Sequence, residues 1–485
     1  MENVLDSPPE VWSSYQEAIF ENVRSGKGHT VVKALAGTGK TTTVVRALRY
    51  VPRGVSVLMV AFNKVIADEL KNRVPRGVEV STCHSFGLKT ITRALGRLPI
   101  DKDKTYNAFR DLYRGGVFSA QQCRVVCKLV SLAKATLAET PEDLDDIIDE
   151  FGLIDDPHEV KRQDVIRDAQ ELLLRAKTDP KCVDFDDMIW LPHALALAPR
   201  TYDRVFVDET QDLNRAQIEL VMKACSRFDG RITAIGDENQ ALYGFRGADR
   251  DSIRNIIDRY EATVLPLSIT YRCPKSVVRV AQSVVPEFEA GPDNPEGSVD
   301  NASTEQMVRE AGPGDFVLSR TNAPLIGLCL RLLREGRKAL VRGRDIGTNL
   351  AAIVKRSEAK TTQELAVYLD EWSRNEQARL LAKQPPQEAA AQLVADKAEC
   401  LEALSEGTGS VAEVLLRIER LFDDATPKNA VVFCTTHKAK GLEAPTVWVL
   451  RDTYRPRQNQ AESACWYVAV TRAKSRLVLV EKESA

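Results

Sequence analysis

The sequence predicts an α/β protein made of two tandem parallel-sheet blocks, each interrupted by a helical insertion. Three observations predict it. Short apolar runs alternate with helix-like segments in the first third of the chain, the pattern of strands joined by helical crossovers. The strand signal vanishes between Gly87 and about Pro199, and again from about Gly347 to Lys428, where helical periodicity or helix-favouring composition takes over. A second series of strand-like runs begins near Val264.

In the first block, strands are expected at His29–Ala34, Ser56–Ala61 and Val78–Thr82, with helices at Thr41–Tyr50 and Lys64–Val74 between them. Ala120–Ala138 and Val160–Lys177 read as amphipathic helices of the first insertion. Two further strands fit Arg204–Val207 and Arg231–Ile235. The second block is expected to hold strands at Thr263–Leu267, Asp315–Ser319, Ala339–Arg342, Val431–Thr435, Thr446–Leu450 and Arg476–Val480. Gln384-Pro385-Pro386 breaks the second helical stretch. The expected domains are therefore 1–87 with 190–264, an insertion at 88–189, then 265–346 with 429–485, and a short insertion at 347–428.

Bulk properties narrow the function. A chain of 485 residues is too long for one ordinary domain, and 44% hydrophobic with 28% charged residues is a soluble globular balance. The net charge of −2 supplies no general pull toward polyanions, so any such site must be a local groove. Ten cysteines are scattered; Cys123 and Cys127 can share a helix face, but no second pair completes a metal or iron–sulfur site. Reduced cysteines in an intracellular protein are expected. The opening MENVLDSPPEVW lacks the apolar core of a signal peptide, and no apolar run approaches the roughly 20 residues of a membrane span.

Two motifs carry chemistry. After the strand ending at Lys33 comes Ala34-Leu35-Ala36-Gly37-Thr38-Gly39-Lys40-Thr41-Thr42, then a helix. This is the context of a phosphate-binding loop. Backbone N–H groups of Ala36 to Thr42 would face phosphate oxygens, Lys40 would reach the β and γ phosphates, and the Thr41 hydroxyl would ligate Mg²⁺. The usual first glycine is replaced by Ala34. Downstream, Asp208-Glu209 ends a strand; the first carboxylate suits a Mg²⁺ contact and the second suits polarising an attacking water.

AGTGKTT, VFVDETQDLNRAQ, GDENQALYGFRGAD, ITYRCP, THKAKGLE and YVAVTRAK occur in the order seen in superfamily 1A helicases of the UvrD/Rep/PcrA type, and the chain resembles them from Gln16 to Lys474. The segment Val183-Asp184-Phe185-Asp186-Asp187-Met188-Ile189 is also similar to that family. The resemblance implies two RecA-like domains with ATP and Mg²⁺ between them. It implies that Gln16 reads the adenine edge, Tyr271 stacks on the base and Gln240 senses the γ-phosphate. Arg272 and Arg472 would serve as arginine fingers, and Gly441 and Glu443 would contact the ribose or help close the cleft.

A strand of nucleic acid calls for stacking aromatics and a basic groove. Phe62, Asn63 and Lys64, then Thr82 and His84, then Tyr243, Phe245 and Arg246, then Thr436 and His437, all lie at or just past carboxyl ends of predicted strands, so they can line one surface. Phe62 and Phe245 are expected to stack on bases; Thr82, His84, Arg246 and His437 would contact the backbone. The run Arg331–Lys338 could steer phosphate or form a solvated helix face. The resemblance implies a 3′→5′ motor on single-stranded DNA that also takes a 3′-tailed duplex. Two alternatives stay open: a translocase that strips bound proteins with little unwinding, and an ATP-gated nucleic-acid-binding switch.

Overall fold

The computed structural model describes residues 12–114, 118–154, 160–242, 252–382, 386–423 and 429–481. The chain divides into two units, Met1–Ile269 and Thr270–Ala485.

The first unit is built on a six-stranded parallel sheet of order β3-β2-β4-β5-β1-β6. Its strands are β1 (Thr30–Ala34), β2 (Val57–Ala61), β3 (Val78–Thr82), β4 (Arg204–Val207), β5 (Arg231–Gly236) and β6 (Thr263–Leu267). β2 reads VLMVA and is buried at every position, as a central parallel strand covered on both faces should be. The helices around it are α1 (Ser14–Ser25), α2 (Lys40–Ala47), α3 (Lys64–Lys71) and α4 (Cys83–Leu95). Asn63 caps α3 and Thr82 caps α4, each accepting from the third backbone N–H, so both strand-to-helix corners turn sharply.

Between α4 and β4 lie α5 (Lys104–Leu112), α6 (Ala120–Thr136), α7 (Pro141–Glu150), α8 (Arg162–Thr178) and α9 (Phe185–Ala194). The segments α5 to α8 enclose a core of their own, with Phe109, Val126, Leu129, Leu144, Val165 and Leu172 almost fully buried. The strand β4 is followed, beyond a short turn, by α10 (Arg215–Lys223); α11 (Ser252–Tyr260) precedes β6.

One expected assignment is corrected here. Thr263–Leu267, read as the opening strand of the second block, is instead the edge of the first sheet, paired with β1 in the register Thr30↔Thr263 through Ala34↔Leu267. The boundary at 264 therefore cuts a strand. Pro266 was the overlooked signal, because a residue with no N–H is tolerated on an edge strand and not inside a sheet.

The second unit holds a seven-stranded parallel sheet of order β12-β11-β13-β10-β14-β15-β9. The short β7 (Ile269–Thr270) and β8 (Glu289–Ala290) pair with each other. The sheet comprises β9 (Ser298–Ser303), β10 (Phe316–Ser319), β11 (Ala339–Arg342), β12 (Phe422–Asp423), β13 (Val431–Thr435), β14 (Ala444–Leu450) and β15 (Ala473–Glu481). Strand β9 was not expected: SVDNAS is polar and carries no apolar alternation, as suits a covering edge strand.

Helices of this unit are α12 (Lys275–Ala281), α13 (Thr304–Glu310), α14 (Ala323–Arg334), α15 (Arg344–Arg356), α16 (Thr362–Leu381), α17 (Glu388–Ser405), α18 (Val411–Leu421), α19 (Thr436–Ala439) and α20 (Gln460–Val470). The stretch 347–428, expected as a separate insertion, does not stand apart. Leu350 of α15, Leu365 and Leu369 of α16, Leu401 and Leu404 of α17 and Ile418 of α18 share one core with Val317, Phe433 and Trp448 of the sheet. Each such side chain contributes about 1.5–3 kcal/mol by burial, so these helices are part of what holds the sheet.

Candidate nucleotide and nucleic-acid sites

In the first sheet β4, β5 and β1 are neighbours, so their carboxyl ends bring together the phosphate-binding loop, Asp208-Glu209 and Asp237. The loop turns through Gly37 (φ 68°) and Gly39 (φ 74°), left-handed positions that suit glycine. Thr38 Oγ1 donates to Leu35 O at 2.9 Å and closes the turn, with Ala36 fully buried beneath it. Helix α2 then starts at Gly39, which has no side chain to cap it, so the first-turn N–H groups of Lys40 to Thr42 are presented to an anion. Lys40 Nζ lies 3.5 Å from Ala34 O, and Thr41 Oγ1 lies 3.5 Å from Asp208 Oδ2.

A chain of hydrogen bonds crosses the rim from β4 to β5. Gln211 Nε2 donates to Glu209, Asp237 N donates to Gln211 Oε1 at 2.9 Å, and Gln240 Nε2 donates to Asp237 Oδ2 at 2.6 Å. Gly236 is part of this fit, since a Cβ there would meet Gln211 Oε1 at 2.5 Å. Glu209 itself has φ 51°, a left-handed conformation that costs a non-glycine residue roughly 1–2 kcal/mol. Burial, then the neighbouring Glu209, push the Asp208 carboxyl up to about 7, against the pull of Lys40. Burial raises Asp237 as well, again opposed by Lys40. Two buried carboxyls thus share one lysine.

The donor set fits a hard cation: a threonine hydroxyl and a carboxylate, both oxygen. Among the described residues there is no group of three or more His, Cys, Asp and Glu able to hold a metal. An ion at Thr41 and Asp208 would therefore take its remaining ligands from phosphate and water, the usual arrangement for Mg²⁺.

Gln16 lies on α1 against α2. Its Nε2 donates to Thr43 Oγ1 at 3.0 Å, while its Oε1 accepts from Ser13 N in a reciprocal helix cap. The amide is thus part of the helix start, a use the sequence pattern did not reveal.

In the second unit, Arg272 Nε donates to Glu443 at 2.7 Å and Lys474 Nζ to the same carboxylate at 2.9 Å. Burial pushes Glu443 up, but Lys474 and Arg272 outweigh it and hold the carboxyl below its usual range. Gly441 (φ 82°) makes the turn that delivers Glu443. Tyr271 is half exposed. Arg472 is only 1% exposed, and its guanidinium donates to Val468 O, Leu442 O and Thr471 Oγ1 at 2.9, 3.2 and 3.1 Å.

On the same sheet β2 adjoins β4 and β3 adjoins β2, the latter pair in the register Ala61↔Thr82. Phe62, 39% exposed, follows β2, and the exposed Lys64 opens α3. Thr82 ends β3, and His84 stands in the first turn of α4. Burial holds the His84 imidazole below its usual range despite Asp186.

Phe185 was not singled out from the sequence. It is 51% exposed and stands edge-on to His84, with ring centroids 6.3 Å apart. Helices α4 and α9 approach this closely because residue 87 is glycine: a Cβ there would come within 1.9 Å of Met188 O. The start of α9 is pinned by Asp184 and Asp187, which both bind the buried Lys134 at 3.0 and 2.9 Å. The available signal was an apolar residue at the first helical position after a capping aspartate. Tyr243, Phe245 and Arg246 lie outside the described residues.

Thr436 and His437 begin α19 just past β13. Thr436 Oγ1 is 2.6 Å from the Tyr454 hydroxyl. Tyr454 in turn lines a groove of about 920 Å³ bordered by Arg451, Arg455 and Arg457, which sequence reasoning also missed.

A glycine-turned loop at a helix start, a carboxylate pair beside it and the exposed Phe62 past the neighbouring strand occupy the carboxyl edge of one parallel sheet, the arrangement of a P-loop α/β protein. Residues 15–261 match the UvrD/REP helicase N-terminal domain and residues 430–480 match the UvrD-like helicase C-terminal domain; the chain belongs to the UvrD/REP helicase family. It is 27% identical over 295 residues to the ATP-dependent DNA helicase PcrA of Bacillus subtilis, covering 55% of this chain and 38% of that protein. It is 28% identical over 295 residues to the protein of the same name from Staphylococcus epidermidis, covering 55% of this chain and 39% of that one. The match thus spans about two fifths of the length of these curated relatives. Among the described residues no helix is long and apolar enough to cross a membrane.

Proposed function

We propose that this chain is an ATP-driven 3′→5′ motor on single-stranded DNA, able to enter a duplex from a 3′ tail and working inside the cell. One observation carries the reading: the hydrogen-bonded chain Glu209–Gln211–Asp237–Gln240, whose Asp237 feels the charge of Lys40 and which ends three residues before Tyr243. It supports a mechanical link between the water-activating carboxylate and the segment that leads into Phe245 and Arg246.

In this mechanism the N–H groups of Ala36 to Thr42 and the ammonium of Lys40 hold the β and γ phosphates. Thr41 and Asp208 would hold Mg²⁺, which would supply neutralisation of charge at the phosphate oxygens. Glu209 aligns the attacking water and takes its proton. Gln240 registers the γ-phosphate, and a change at Gln240 passes through Asp237 and Gln211 to Glu209. Tyr271 covers the base, with Gln16 at its edge. In the second unit Arg272 and Arg472 would stabilise the charge that builds on the transferring group, with Gly441 and Glu443 shaping the loop beside them. On the strand, Phe62, Phe185 and Phe245 stack on bases. Asn63, Lys64, Thr82, His84, Tyr243, Arg246, Thr436 and His437 hold backbone and sugar, with Arg451, Arg455 and Arg457 extending the cationic border.

The second reading, a translocase that displaces bound proteins with little unwinding, is favoured by the merging of helices 347–428 into the sheet core. ATP turnover with DNA or RNA strands, alongside unwinding of 3′- and 5′-tailed duplexes, tests both. Lys40→Ala is expected to abolish turnover. DNA-stimulated turnover that survives this change would remove the assignment. Turnover and strand movement without duplex unwinding would select the second reading.

A further inference from the structure

The second unit carries a groove of about 590 Å³ that the proposed motor does not use. It opens where α14 ends, β11 begins and α18 ends, so it lies on the amino-terminal edge of the sheet at its β11–β12 end. Thr436 and His437 follow the carboxyl end of β13, on the other edge. Strand β14, which follows Glu443, is three strand positions from β11, roughly 14 Å at ordinary strand spacing.

Its lining combines two features. Leu333 on α14 is 40% exposed and Leu416 on α18 is 45% exposed, although Leu332 and Leu421 beside them are buried. A lone exposed leucine needs no explanation, but two lining one concavity form an apolar seat. Around them stand Arg334, Arg417 and Arg420. The acidic residues present do not balance these cations. Glu413 lines the groove, and Glu406 meets Arg334 only at 3.6 Å, with both side chains more than half exposed. Arg417 is oriented by donating to Leu404 O and Glu406 O at 2.8 and 2.7 Å, contacts that fix the guanidinium without neutralising it. Burial, then Arg334, hold Arg417 below the usual arginine range despite Glu413 and Glu406, so the cations crowd one another.

We propose that this groove docks an acidic amphipathic segment of a partner protein, with apolar side chains between Leu333 and Leu416 and carboxylates on Arg334, Arg417 and Arg420. Charge complementarity selects this occupant: a helix with one apolar face and flanking carboxylates satisfies the seat and the cationic rim together. A nucleic-acid strand would satisfy the rim alone, since the described residues lining the groove include no aromatic ring for a base.

The test uses a short fluorescein-labelled peptide helix with leucines on one face and glutamates on the other, titrated against the full chain by anisotropy. Saturable binding is expected, weakened about tenfold or more by Arg420→Glu and by Leu416→Asp. A peptide with lysines in place of the glutamates should not bind. Both variants should keep the parent's melting temperature and DNA-stimulated turnover. If Leu416→Asp lowers the melting temperature, Arg420→Glu, at an exposed position, decides alone. No binding of the glutamate peptide, equal binding by the variants, or displacement by a single-stranded oligonucleotide overturns the proposal.

Discussion

Asp208 is held where burial and Glu209 both oppose its charge. Its carboxyl titrates near 7 when folded and near 3.8 in the ordinary state, so the folded protein binds the extra proton between those values. Stability therefore falls as pH rises through that window, and the cost is complete above it. Asp208→Asn removes the cost. The nucleotide-free variant is expected to melt a few degrees higher than the parent at pH 8 and at nearly the same temperature at pH 4, by differential scanning fluorimetry. A lower or unchanged melting temperature at pH 8 would contradict this account. The same change should abolish turnover if Asp208 holds the metal. A residue that destabilises the empty fold and is needed with nucleotide is the signature of a site shaped for its ligand.

At the scale of elements, the approach of α4 to α9 decides where Phe185 stands. The backbone contact at Gly87 leaves no room for a methyl group, so Gly87→Ala should destabilise the first unit by about 1–3 kcal/mol through forced separation of the two helices. Phe185→Ala removes only an exposed ring. It should leave turnover without DNA intact but weaken binding of single-stranded DNA by about tenfold, the scale of one lost stacking contact. Unchanged affinity in a titration with a labelled oligonucleotide would mean that Phe185 only packs against His84.

At the scale of the whole molecule, the two helical stretches differ in kind. Helices α5 to α8 have a core of their own, whereas α15 to α18 share theirs with the second sheet. Leu401 is fully buried in that shared core. Leu401→Ala should cost about 2–5 kcal/mol and lower the melting temperature of the second unit. Excision of 347–428 should yield an insoluble chain. A soluble deletion that melts within a couple of degrees of the parent would show that the stretch is a separable insertion.

Strand-helix alternation placed β3, β4, β11 and β13 at their observed limits; β4 and β13 are continuous apolar runs because both faces are buried, whereas β3 and β11 are only half-buried. The glycine turn before α2, the position of Asp208-Glu209 at a strand end and the Phe62 and Thr82 corners were equally legible, since each is a local pattern of residue types at a strand end. Other features depended on partners that local patterns do not name. Thr263–Leu267 belongs to the first sheet because of what it pairs with, and a strand does not name its neighbour. Phe185 reaches His84 because of Gly87, about a hundred residues before Phe185 in the chain. The bonds of Arg472 to Val468, Leu442 and Thr471, and the capping use of Gln16, follow from side-chain geometry that motifs do not encode. By itself, then, the sequence determined the α/β class, most of the strands along the chain and the residue types at their ends. Only the tertiary structure decided which strands adjoin, which helices share a core and which exposed rings stand together, because those depend on packing between residues far apart in the chain.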